Sequence, residues 1–208
     1  MPRQQSITRE NVLEAAFTLL RQEGEQSVSA RNIAKKLGCS TQPVYSTFPS
    51  MATLEEELLL VAWQYLLEHY LIQPRETQSF YEMGLGYIRF GREERALFHY
   101  IFLSTKSSLS LMRDRLGAMK EPVIDAMRSD PMLADLPLER LEALHEQMWI
   151  FTHGITTVLY TDPDAISERQ VTSLLDEVGM KVIGWELLEL NEKLGDPPCD
   201  GHHPIEKE

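Results

Sequence analysis

Apolar residues recur at intervals of three and four along nearly the whole chain, and nowhere do they alternate over a stretch long enough to make a strand. That spacing is the period of the α-helix, so it confines the chain to an all-α fold. Val12, Ala15, Ala16, Leu19 and Leu20 open the pattern, with Thr8 placed as an N-cap and Gly24 as a stop. Short helices are expected over 30–37, led by Ser29 and closed by Gly38, and over 41–47. Longer ones follow at 52–72, 76–93, 95–104, 109–129, 138–160 and 166–193, about nine in all. The breaks fall at Pro74, STKSS, SDPMLADLP and TDPDA, where proline and short polar residues end the periodic runs. Three regions result: a three-helix head over 1–50, a larger helical body over 51–194, and a Pro- and Gly-rich tail over 195–208 that is expected to be disordered.

Within the head, the stretch IAKKLGCSTQPVYSTFPS (33–50) joins two short helices through a turn at Gly38. This is a helix-turn-helix signature, in which the second helix enters the major groove of DNA. Ile33, Ala34, Leu37, Cys39 and Val44 are the apolar contacts expected to fix the angle between the helices. With Ser40 or Thr41 as cap, Pro43 falls in the first turn, where its missing N–H costs nothing. Ser40, Thr41 and Gln42 then face the groove, and Tyr45 and Thr47 are placed for the DNA backbone. Glutamine can pair bidentately with adenine, and the hydroxyls can reach bases or phosphates.

A net charge of −12 argues at first against nucleic acid, since binding depends on neutralising phosphates. The charge is unevenly placed. Residues 1–50 carry six Lys or Arg against four Glu, a net of +2 that leaves −14 on the remainder. A mildly basic head on an acidic body suits a protein of which one end approaches DNA. The amino terminus has no apolar signal-peptide core, and no apolar run approaches the roughly 20 residues that span a bilayer, so an intracellular, cytoplasmic protein without a membrane partner is expected.

Residues 28–54, VSARNIAKKLGCSTQPVYSTFPSMATL, resemble the DNA-binding motif of the TetR family of transcriptional regulators, including the Tyr-x-x-Phe that closes the recognition helix. The resemblance covers roughly the first 55 residues. Farther along, MWIFTHGI carries Trp149, His153 and Gly154 in the arrangement of one subgroup of TetR carboxy-terminal domains, to which GYIRFGREERALFHYIF is also similar. The resemblance implies a DNA surface made of Ser29, Arg31, Ser40, Thr41, Gln42, Tyr45 and Thr47, with Arg31 most able to read guanine. It also implies a homodimer on double-stranded operator DNA, and a repressor released by a small-molecule effector. One departure stands at Met51, where relatives carry a lysine on phosphate; a shallower salt dependence is expected.

In the body, the last helix has two apolar stripes, and helix 138–160 behaves similarly, so two helices from each chain can build a four-helix interface. Gly154, Met180, Ile183, Trp185 and Leu187 are the candidate dimer contacts. The candidate effector pocket takes Trp63, Tyr87, Phe102, Met112, Met119, Trp149 and His153, methionine being suited to irregular apolar shapes. His153 is either a satisfied core histidine or the polar group that orients a ligand. The helix over 52–72 runs from head to body and is the natural lever between effector and operator.

Two other classes are weighed. An enzyme finds no nucleophile motif, phosphate loop or H-E-x-x-H pattern; His145 between Glu142 and Glu146 mimics a metal site but reads as a solvated face, and no catalytic residue, cofactor or metal is expected. Cys199, His202 and His203 in the acidic tail read as polar filler. The alternative function is a helical ligand- or partner-binding protein without sequence-specific DNA binding, for which Met51 and the modest basic charge speak.

Overall fold

A computed structural model describes residues 7–72, 79–104 and 120–194, with backbone alone from 185 onward. The head begins with α1 (Arg9–Glu23), closed at its start by a capping box in which the Thr8 hydroxyl accepts from the Asn11 N–H and the Asn11 side chain accepts from the Thr8 N–H. Gly24, at φ 84°, ends it, and a 3-10 turn (Glu25–Ser27) leads to α2 (Ala30–Leu37). Ser29 caps α2 through the Asn32 N–H, and Gly38 at φ 68° takes the left-handed position that turns the chain into α3 (Gln42–Thr47). Ile33, Ala34 and Val44 are fully buried between these helices, and Leu37 and Cys39 pack partly buried against them.

The expected hydroxyl cap on α3 is not made. Thr41 stands at the N-cap with helical backbone, φ −73° and ψ −14°, and its side chain bonds to none of the helix N–H groups. Pro43 sits in the first turn and removes one of the N–H groups such a cap would serve, so the hydroxyls of Ser40 and Thr41 stay exposed.

The body starts with α4 (Met51–Leu66), capped by Ser50, which ends in a π-helical turn (Leu67–Leu71). Next come α5 (Phe80–Glu93) and α6 (Arg95–Phe98), the latter ending in a second π-helical turn (His99–Leu103). A helix α7 over 120–127, α8 (Leu138–Thr161) and α9 (Glu168–Leu194) complete the body. No strand occurs among the described residues, and the all-α expectation holds. The expected helix 109–129 is described only over 120–127; Met112, Met119 and the tail with Cys199, His202 and His203 lie outside the described residues.

The densest packing in the body is α5 against α8. Two glycines of α5 allow its close approaches, Gly86 to the first π turn and Gly91 to α8. A Cβ on Gly86 would sit 1.9 Å from the Tyr70 carbonyl oxygen in the first π turn, and one on Gly91 would sit 2.1 Å from Thr156 on α8. The buried core is one cluster that runs from Val12 in α1 through Phe48 and Leu58 to Leu175 and Ile183 in α9. Head and body are therefore welded by apolar contact as well as by the continuous course of α4.

Candidate nucleic-acid interface and effector cavity

In the head, Arg31 on α2 and Ser40, Thr41, Gln42 and Tyr45 on the turn and α3 are exposed. Tyr45 is 53% exposed, a large aromatic side chain left open to solvent. Arg31, Lys35 and Lys36 carry no hydrogen bond or ion pair among the described residues, so their charges remain available. Ser29 and Thr47 differ. The Ser29 hydroxyl is used in capping α2, and the half-buried Thr47 hydroxyl donates within α3 to the Pro43 and Val44 carbonyls. Met51 is half-buried and packs against the core.

Two other cations of the head are committed internally. Arg9 is paired bidentately with Glu57 on α4, donates to the Thr47 carbonyl at 2.7 Å, and lies over the Phe48 ring at 4.0 Å. The end of the recognition helix is thereby pinned to α1 and α4. Arg21 reaches into the body, where its Nε lies 2.8 and 3.0 Å from the two oxygens of Glu94, at the junction of α5 and α6. Glu94 is buried, and it also accepts from the Tyr65 hydroxyl at 3.2 Å; the Tyr70 hydroxyl lies 3.4 Å away but donates to Glu93 at 2.9 Å. A carboxylate so enclosed is tolerable because a cation and a hydroxyl bond to it. Neither pair was visible in the sequence pattern, because the partners are 48 and 73 residues apart.

In the body, α5, α7, α8 and α9 line an apolar cavity of about 230 Å³ that opens to solvent beside Met132 and Met180. Phe80, Met83, Val123, Met148 and Leu175 supply its greasy walls. Of the sequence-predicted pocket residues, Tyr87 and Trp149 line it. Trp63, Phe102 and His153 form a layer behind them: Trp63 and Tyr87 each lie 5.7 Å from the Phe102 ring, and His153 stacks on Trp149 at 5.3 Å. His153 Nδ1 is 2.8 Å from the Tyr87 hydroxyl, so this histidine is satisfied within the aromatic layer. Burial lowers its pKa and raises that of Tyr87, which keeps the pair uncharged. The layer continues to Phe98 on α6, 5.7 Å from His153.

Met180 and Ile183, predicted at the dimer contact, also border the cavity; Ile183 is buried and Met180 is exposed. The side chains of Trp185 and Leu187 lie outside the described residues. Gly154 is exposed on α8, with nothing within 4 Å of where a Cβ would stand. It is flanked one turn on either side by Ile150, 59% exposed, and Val158, 45% exposed. Of this apolar strip the sequence reading named Gly154 alone. Glu142 pairs with Lys120 at 3.2 Å while His145 turns into the cavity, so the suspected one-turn metal group is split. Among the described residues no group of three or more potential ligands is placed to hold a metal, and no helix is long and apolar enough to cross a membrane.

An exposed recognition helix on a helix-turn-helix head, set on an all-helical body with an apolar cavity, defines a DNA-binding regulator with room for a small molecule. Residues 12–58 match the family model described as "Bacterial regulatory proteins, tetR family". Over those residues the head is that of a TetR-family transcriptional regulator. Its fold is similar to that of apo ActR from Streptomyces coelicolor, with a TM-score of 0.57 and 13% identity over 92% of this chain and 100% of that one. ActR in complex with (S)-DNPA gives a TM-score of 0.53 at 13% identity, over 89% of this chain and 100% of that one. NalD from Pseudomonas aeruginosa, the secondary repressor of the MexAB-OprM multidrug efflux pump, gives 0.53 at 18% identity over 84% and 94%. At these identities the likeness is one of fold. A search of curated proteins returns no match.

Proposed function

We propose that this regulator is a cytoplasmic homodimeric repressor, released from its operator by an apolar small molecule held in the cavity. The head over 1–50 binds DNA, the body over 51–194 binds effector and partner, and the protein is not an enzyme. Arg31, Gln42 and the hydroxyls of Ser40 and Thr41 read the operator, with Ser29, Tyr45 and Thr47 on its backbone. The single observation that carries this reading is that Arg31, Ser40, Thr41 and Gln42, on α2 and the turn into α3, are all exposed with side chains unpaired among the described residues. That ActR has been seen with (S)-DNPA, and that NalD is a repressor, support the choice of effector-released repression.

Dimerisation is supported by the apolar strip Ile150, Gly154 and Val158, which stands exposed among the described residues. Two heads on a two-fold axis then read a near-palindrome. An effector that prefers the DNA-incompetent conformation by about 2 to 3 kcal/mol lowers operator affinity roughly a hundredfold. The test is fluorescence anisotropy on DNA upstream of the gene, with scrambled competitor at two salt concentrations. Saturable, competitor-resistant binding is expected, with Gln42→Ala costing about 1 to 3 kcal/mol and relaxing the preference at one base pair. If neither this DNA nor selection from random sequences yields a preferred site, DNA recognition by this head is refuted.

A further inference from the structure

The cavity's polar wall groups divide into those already bonded and those that are not. The buried Asp130 carboxylate accepts from the Phe80 N–H at 2.8 Å and the Met132 N–H at 2.9 Å. Thr152 donates to the Met148 carbonyl at 2.8 Å, Ser79 caps α5, and Tyr87 is held by His153. Three titratable lining side chains carry no hydrogen bond among the described residues: His145, Tyr81 and Asp176. Asp176 is exposed and stands in water, whereas His145 is largely enclosed, one turn from Met148 and Trp149 on α8.

Burial pushes the His145 imidazole down to about 4, helped by the nearby Lys120 and opposed by Glu142. At neutral pH it is therefore an uncharged ring, with one nitrogen to donate and one to accept. Such a group suits an uncharged partner that does both, and a hydroxyl is the smallest one. A carboxylate ligand is poorly served: among the described lining residues there is no Lys or Arg, and two are aspartates. An organic cation would draw on Asp130, which already accepts one backbone N–H on each oxygen, and on Asp176, which is screened by solvent, so a cationic probe is part of the test.

Size limits the ligand further. A dry cavity of about 150 Å³ admits benzene, so about 230 Å³ admits roughly a second ring. Met83, Met132 and Met148 can adapt to flat faces, and Tyr87 and Trp149 offer aromatic ones. We propose that the cavity takes an uncharged bicyclic aromatic molecule bearing one hydroxyl, and that His145 orients it by bonding that hydroxyl. This rests on the cavity being the effector site.

The test uses the full-length protein with two probes of nearly equal shape, 1-naphthol and 1-methylnaphthalene, followed by quenching of tryptophan emission and by calorimetry. The wild type should bind 1-naphthol about fivefold to tenfold more tightly, the worth of one net hydrogen bond. In His145→Leu that preference should vanish while 1-methylnaphthalene binds as before, which also shows the variant to be folded. His145→Asn should restore part of it, since an amide can also donate and accept. Equal binding of both probes by the wild type, a preference that survives in His145→Leu, or failure of both probes to bind overturns the proposal. So does tighter binding of the 1-naphthylmethylammonium cation that is lost in Asp176→Asn. Operator anisotropy on the same samples separates the two levels: intact DNA binding with no naphthol binding removes the effector class and leaves the regulator.

Discussion

Replacing Arg21 by alanine should loosen the head from the body. The Glu94 side chain is 8% exposed and that of Arg21 44%, so the mutation strands a nearly buried carboxylate and opens little else. Breaking a fully buried pair from one side costs about 3 to 5 kcal/mol. Here Arg21 is half in water and the Tyr65 hydroxyl still donates to the carboxylate at 3.2 Å, so about 2 kcal/mol is expected. For a chain of this length that lowers Tm by roughly 4 to 8 °C. Glu94→Gln removes the charge and keeps an acceptor for Arg21, and should cost less. The double variant should be about 1 kcal/mol more stable than the two separate losses imply, because the stranded charge is gone. Thermal and urea melts at fixed protomer concentration measure all four proteins, since dimerisation makes stability depend on concentration. Additivity of the two losses within about 0.3 kcal/mol would refute the claim that Glu94 is a buried charge held by Arg21.

Gly86→Ala should be among the most damaging small substitutions in the body, at about 3 kcal/mol, because the new Cβ meets the Tyr70 backbone carbonyl at 1.9 Å and a backbone cannot rotate away; a urea midpoint unchanged from wild type would contradict that close approach. Stability should also fall as pH drops from 7 towards 4. His145 has a folded value of about 4 against about 6.5 when unfolded, so in that window the unfolded chain binds the extra proton and gains. By pH 5 this part amounts to at most about 2 kcal/mol. His153, lowered in the same direction, contributes with the same sign, so the His145 part is read as the wild-type slope minus that of His145→Asn.

Much of the fold is legible in the sequence because helix ends depend on local chemistry. Thr8, Ser29, Gly24 and Gly38 each act through neighbours within a few residues, and all four occupy the expected positions. The cap at Thr41 is the exception, since the proline two residues on removes one of the groups to be capped. The aromatic set Trp63, Tyr87, Phe102, Trp149 and His153 is also brought together, but periodicity cannot say which member faces a cavity and which stands behind it. His145 was hidden for a related reason. Between Glu142 and Glu146 it looks solvated, and only the rotation of α8 against α5 and α9 turns it inward. The pairs of Arg9 with Glu57 and Arg21 with Glu94 are products of tertiary geometry and leave no local trace.

The uninterrupted core bears on how such a chain can be re-engineered. A head whose apolar contacts ended at Ser50 would be a cassette, transferable to any body as a ready-made reader of its DNA. Here Leu19 and Leu20 share one buried cluster with Leu97 and Phe98, and Arg21 ends on Glu94. A chimera that joins this head to a foreign body must therefore bring the α5–α6 corner with it, or graft a matching acidic, apolar corner onto the recipient.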